Sequence, residues 1–171
     1  FNLDSFSDAY GNADREFWAW KTKDFTNATM QGGIHSLAIA YKLGLFTDKE
    51  LLLNLVDASF NGIAKISSKK GSLVEAYPNE HSFCVTALIA FDVLSAISYI
   101  KDELSSESLD RYYSIIEPLI NFIIRYDEKH AIISNHLATA VAAITLWNKQ
   151  RSVSIKRDEQ LLKVIYDHQS D

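Results

Sequence analysis

The sequence predicts an all-α domain of stacked antiparallel helix hairpins, arranged as a solenoid or partial α/α toroid of about seven helices. Three observations point there. Apolar residues recur at a sustained 3.6-residue period, with few β-type alternations. Only two prolines and six glycines interrupt the chain. Short connections, after Leu43 and Glu103, alternate with longer ones at 67–82 and 126–134; helices joined by short turns and stacked through longer loops make a row of hairpins. A four-helix bundle is the main rival, but seven helices exceed it.

The first helix is expected to include Asp14 to Lys21, with Phe17, Trp18 and Trp20 giving it an aromatic surface. The second runs from Thr26 or Asn27 to Leu43, with Ile34, Leu37, Ala38 and Tyr41 on one face and Gly44 at the stop. Thr47, followed three residues later by Glu50, has the form of a capping box for a third helix reaching Ile66. Residues 67–82, rich in Gly, Ser, Lys, Pro and Asn, are expected to be a loop. The fourth helix begins near Ser82 and reaches Glu103; the fifth begins at Ser106 and contains Pro118, which removes a backbone donor and should kink the helix or mark its true start. Ser134 to Lys149, nearly apolar all round, is expected to be a buried inner helix. A seventh covers Ile155 to His168. Because Leu161 to Tyr166 is still mid-pattern when the sequence stops, the single domain 1–171 is expected to be the N-terminal part of a longer toroid.

An apolar fraction of 47% is ample for a core, and a net charge of −5 with interspersed signs leaves no footprint for nucleic acid or an anionic membrane. The longest apolar run, Ala131 to Trp147, is broken by polar residues and short for a bilayer, so membrane insertion is not expected. The single cysteine, Cys84, has no intrachain partner and fits a buried, inert thiol; with no signal peptide visible, a soluble cytoplasmic protein is expected. The histidines at 35, 81, 130, 136 and 168 lack metal-ligand spacing, and there is no P-loop, dinucleotide fingerprint or nucleophile elbow, so neither metal nor cofactor is expected.

Three segments could carry chemistry. The loop Gly71 to Ser82 holds Glu75, Tyr77, Glu80 and His81 just before a helix N-terminus, where unpaired N–H donors favour anions. Either glutamate could serve as general acid or base, and Tyr77 could exchange a proton. The structural alternative makes Ser82 an N-cap, Pro78 a turn former, and Glu80 and His81 solvated. Ser134-Asn135-His136 opens the most apolar helix. An amide and an imidazole there match β-elimination from a uronic acid, which needs charge stabilisation of an enolate-like intermediate and a base for C5. Alternatively Asn135 caps the helix and His136 is a satisfied core histidine. Finally, Trp18, Trp20 and Lys21 could stack on and bind sugars, although such aromatics also serve interhelix packing. Gln31 and His35 follow beside Gly32 and Gly33, whose cost to a helix implies close packing or a ligand.

The stretches W-A-W-K-T-K-D-F (18–25), Q-G-G-I-H-S-L-A (31–38), G-S-L-V-E-A-Y-P-N-E-H-S-F-C-V-T-A (71–87) and S-N-H-L-A-T-A-V-A-A (134–143) resemble α/α-toroid proteins. They are similar to the helical domain of heparinase II/III-type and alginate-lyase-type polysaccharide lyases, and to uncharacterised toroid proteins encoded with bacterial surface-polysaccharide genes. An Asn, a His and a Tyr recur at the cleft of such lyases; Asn135, His136 and Tyr77 match them. The resemblance implies a carbohydrate-active domain acting on or handling an acidic bacterial polysaccharide, possible partners being poly- or oligosaccharide and the missing remainder of the toroid or a second subunit. Members of the surface-polysaccharide group continue after a segment like H-Q-S-D (168–171), and in the lyases a β-sandwich and further helices help build the cleft. Two other classes are open: a non-catalytic helical-repeat module that binds glycan or protein, and a terpenoid-cyclase-like toroid, against which the absence of a D-x-D-D or D-D-x-x-D cluster argues.

Overall fold

Three helix hairpins side by side make up most of the chain. A computed structural model describes residues 1–45 and 47–169. Its helices are α1 (Arg15–Trp18), α2 (Gly33–Lys42), α3 (Lys49–Ile66), α4 (Phe83–Ile100), α5 (Ser106–Arg125), α6 (Ser134–Arg151) and α7 (Arg157–Asp167). Short 3-10 turns at Ala28–Gly32 and Lys101–Glu103 precede α2 and follow α4. There is no strand among the described residues, only one antiparallel bridge between Leu73 and Ser82. Within the hairpins α2/α3, α4/α5 and α6/α7 the short turns force each second helix back along the first. Between hairpins, α2 packs on α4 and α4 on α6, so these three form one layer and α3, α5 and α7 lie outside it.

Local chemistry explains the boundaries, with corrections to the expected ones. Gly44, at φ +63°, ends the second helix where anticipated. The cap of α3 is Asp48, whose carboxylate accepts from the Leu51 N–H, and not Thr47. The first helix is one turn rather than Asp14–Lys21: the Asp14 carboxylate caps it and also accepts from the Asn27 N–H, which pulls the chain out of helical register, and Lys21 adopts φ +56°. Pro118 lies inside α5 without ending it; it and Ser114, whose carbonyl loses its partner, are on the exposed side where solvent can satisfy that oxygen.

The most buried helix is α4, not α6. Twelve of its residues are buried, including Ile89, Val93, Leu94 and Ile97, because α2, α5 and α6 all pack around it. On α6 only Leu137, Ala140, Ala143, Ile144 and Trp147 are buried. The remaining apolar positions are small or half-exposed and form one wall of a groove. The segment Phe83–Glu103 is long and apolar enough to cross a membrane, yet most of it is covered by its neighbours as a core helix. Of the 168–171 segment, Ser170 and Asp171 lie outside the described residues.

Candidate active site at the loop end

The inner helices α2, α4 and α6 begin at one end of the stack, and the long loops 67–82 and 126–133 meet there. The first loop owes its form to local pairings. Tyr77-Pro78-Asn79-Glu80 is a turn closed by the Glu80 N–H donating to the Tyr77 carbonyl at 3.2 Å, with proline second and Asn79 third at φ +61°. The Glu80 carboxylate reaches back to accept from the Glu75 and Ala76 N–H groups at 3.0 and 2.8 Å. Glu80 is therefore an anchor of the loop, half-buried rather than free in solvent. Ala28 N–H donates to the Val74 carbonyl, and Leu73 N–H to Thr86 Oγ1, both at 2.9 Å, which pins the loop to the helix starts. Gly71, at φ +84°, sits so tightly on α5 that a Cβ would lie 2.0 Å from the Pro118 carbonyl oxygen.

Across from it, Glu128 is the residue that organises the second loop. Its side chain is 3% exposed. One carboxylate oxygen accepts from the N–H groups of Lys129 and His130 at 2.9 and 3.1 Å, and the other meets His136 Nδ1 at 2.8 Å. Burial by itself would push this carboxyl up, but the His130 N–H, the His136 ring and the Lys129 N–H together hold it below the usual glutamate range. With Glu128 fixing Nδ1, the Nε2 of His136 is the nitrogen left for other partners.

The two loops line one cleft of about 110 Å³, where Tyr77, Glu80 and His81 face Asp127, Glu128 and Lys129. Tyr77 is 68% exposed at its edge. Glu75 accepts weakly from Ser82 Oγ at 3.5 Å, and Ser82 caps α4 by accepting from the Val85 N–H at 3.3 Å. His81, at φ +54°, pairs through Nδ1 with Ser72 Oγ at 2.6 Å, and Ser72 in turn meets Ser68 Oγ at 2.7 Å. Burial and the charges of Glu75, Glu128 and Glu80 push the Cys84 thiol up to about 11, so it carries no thiolate at neutral pH.

Asn135 does not cap α6. Ile133 stands at the cap position with no side-chain acceptor, and Asn135 is exposed one residue into the helix. The first-turn N–H groups of α6 are consequently open to an anion beside His136.

Of the sequence candidates only Tyr77, Glu80 and His81 line this cleft; Glu75 touches it through Ser82 and His136 through Glu128, and Asn135 is not in its lining. The others lie farther away. Gln31 is buried at 1% exposure and its amide is spent on backbone, accepting from Ala13 N–H and donating to the Asn27 carbonyl. Trp20 is 62% exposed, and the Arg15 guanidinium sits 5.4 and 5.7 Å from the Trp20 and Trp18 rings. Lys21 lies 5.5 Å over Phe17. His35 pairs with Asp92 on α4 at 3.2 Å. Glu128 escaped the sequence reading; the available signal was an acid in the loop eight residues before His136. Among the described residues no three His, Cys, Asp or Glu side chains are placed to hold a metal ion. In comparisons with known proteins, no family model, no curated protein and no solved structure matches this chain.

Proposed function

We propose that this chain is a carbohydrate-active domain, an arc of an α/α toroid, that acts on an acidic polysaccharide by lyase-type β-elimination at the loop-end cleft. One observation carries the proposal: the tyrosine loop and the loop before α6, far apart in sequence, line one cleft through Tyr77 and Glu128, and the shielded Glu128 carboxylate in turn holds the His136 ring at the start of α6. In this reading the His136–Tyr77 pair removes the proton at C5 of a uronate and returns one to the departing C4 oxygen, as the C4–O bond breaks and a C4=C5 double bond forms. The uncapped N-terminus of α6 with Asn135 neutralises the substrate carboxylate, whose charge grows as C5 loses its proton. Glu75 supports the site from the opposite loop, Lys129 supplies positive charge at the rim, and Glu80 and His81 hold the loop in shape.

The direct test is ultraviolet absorbance of the unsaturated product when the whole protein is incubated with alginate, heparan and related uronate polymers. Signal on at least one polymer is expected; none on any would remove the lyase reading. The exposed Trp20 and Arg15 platform favours a second reading, a non-catalytic glycan-binding module. It predicts that Tyr77→Phe and His136→Ala leave binding intact while Trp20→Ala abolishes it.

A further inference from the structure

A second histidine–carboxylate pair lies away from the cleft, in the layer of inner helices. His35, near the start of α2, donates or accepts through Nδ1 with Asp92 at mid-α4, and its ring lines a hollow of about 520 Å³ between α2, α4 and α6. Aromatic rings flank it: Phe91 edge-on at 6.0 Å and Tyr99 stacked at 5.9 Å, with Tyr99 39% exposed. The pair has been given room, since a Cβ on Gly32 would lie 2.6 Å from Asp92 Oδ2. Asp92 is behind the ring, and His35 is the only titratable group besides Tyr99 in the lining. With the Nδ1–H donating to Asp92, Nε2 is left as an acceptor for a hydroxyl.

The hollow does not end there. Through Ser98 and Leu146 it joins a second recess of about 440 Å³ lined by Lys101, Lys149, Gln150 and Tyr113. Those lysines are the only formal charges lining either part apart from His35 when protonated, and no ion pair engages them among the described residues. From Phe91 to Lys101 the wall runs about 15 Å along α4. Its surface thus has aromatic faces and hydroxyls at one end, where Thr145 donates to the Asp158 carboxylate at 3.3 Å, and two lysines in no ion pair at the other.

We propose that this groove is a second binding site, distinct from the loop-end cleft, that takes a short uronate-bearing oligosaccharide. A sugar ring lies on Tyr99 and His35, its hydroxyls meet His35 Nε2 and the α4 serines, and a carboxylate sits between Lys101 and Lys149. The choice of an acidic sugar rests on the proposed function; the place and polarity of the site rest on the groove alone.

Calorimetric titration of saturated oligogalacturonate and oligomannuronate into the whole chain, with neutral cello-oligosaccharide alongside, tests it. The cleft is first disabled by Tyr77→Ala with His136→Ala. Acidic oligosaccharide is expected to bind this variant still, more tightly than the neutral one. Adding Tyr99→Ala should weaken binding about tenfold, and adding Lys149→Glu at least as much, with a flatter salt dependence. Both added positions are exposed, and unchanged helical circular dichroism confirms the fold. Binding lost on disabling the cleft, insensitivity to Tyr99→Ala and Lys149→Glu, or equal affinity for the neutral chain would each overturn the groove. No acidic oligosaccharide binding to the unaltered protein would overturn both the groove and the polysaccharide function. Binding in the groove without unsaturated product on any polymer would leave the groove standing and remove the lyase chemistry.

Discussion

The pairs His136–Glu128 and His35–Asp92 have similar lengths, 2.8 and 3.2 Å, and similarly shielded rings, yet their carboxyls are pushed in opposite directions. Glu128 stands in a loop just ahead of α6, where the N–H groups of Lys129 and His130 are free to donate to it, and it titrates below the ordinary range despite being buried. Asp92 stands in the middle of α4, where helical bonding occupies the N–H groups. There burial dominates, the His35 hydrogen bond and charge only offset it, and the carboxyl is raised. The contrast indicates that a histidine partner alone does not offset the burial of a carboxyl; added backbone donors do, and those are free only where the chain is not already helical.

The largest effect is expected from detaching one wall of the cleft. Gly71→Ala forces a side chain into a left-handed residue and against the Pro118 carbonyl, and should lower unfolding free energy by about 3 kcal/mol in urea titrations. Any unfolding at lower denaturant should start at the loop end and spare His35, which hydrogen exchange resolves. Glu128→Ala comes next. It strands two N–H donors and the His136 ring, for a loss of about 2 kcal/mol, whereas Asp92→Ala, with a single hydrogen-bonded partner, should cost less.

The pH dependences should have opposite sign. Because the folded Glu128 carboxyl is lowered, its advantage over Glu128→Gln is complete above the ordinary glutamate value of 4.5 and disappears as pH falls through the lowered value. Because Asp92 is raised, the wild-type protein compares best with Asp92→Asn below the ordinary aspartate value of 3.8 and loses ground as pH rises through the raised value. Thermal melts of the four proteins from pH 3 to pH 7 (roughly the span in which carboxylates titrate) read both trends. Parallel curves would break the comparison. The smallest effect concerns the thiol between the loops: Cys84 should react slowly with iodoacetamide at neutral pH, and faster in Glu128→Gln, which removes one of the charges that raise it.

Much of the architecture was legible because it depends on period and punctuation. Helices α2 to α7 follow from apolar spacing and from stops such as Gly44, and the meeting of the two loops follows from hairpin alternation. The identity of the innermost helix was legible too and was misassigned: α4 carries a single charged residue, Asp92, along its whole length, whereas α6 opens on Ser134-Asn135-His136 and closes on Asn148-Lys149-Gln150-Arg151, and three neighbours pack on α4. The short α1 escaped because Asp14 is shared between its own turn and Asn27, thirteen residues away. Around the cleft, Tyr77 and His136 stand out in the sequence as titratable groups near helix starts, while Glu128 and Asp92 do not, because a carboxylate becomes organising only through partners that folding brings to it.

The proposed β-elimination requires that His136, oriented by Glu128, and Tyr77 exchange protons with one substrate. The most direct test is kcat for unsaturated-product formation by the wild type, Tyr77→Phe, His136→Ala and the double variant on the best uronate polymer. The account predicts that each single change lowers kcat about 100-fold or more and that the double change costs little beyond the worse single one. Single variants that retain wild-type kcat would contradict it.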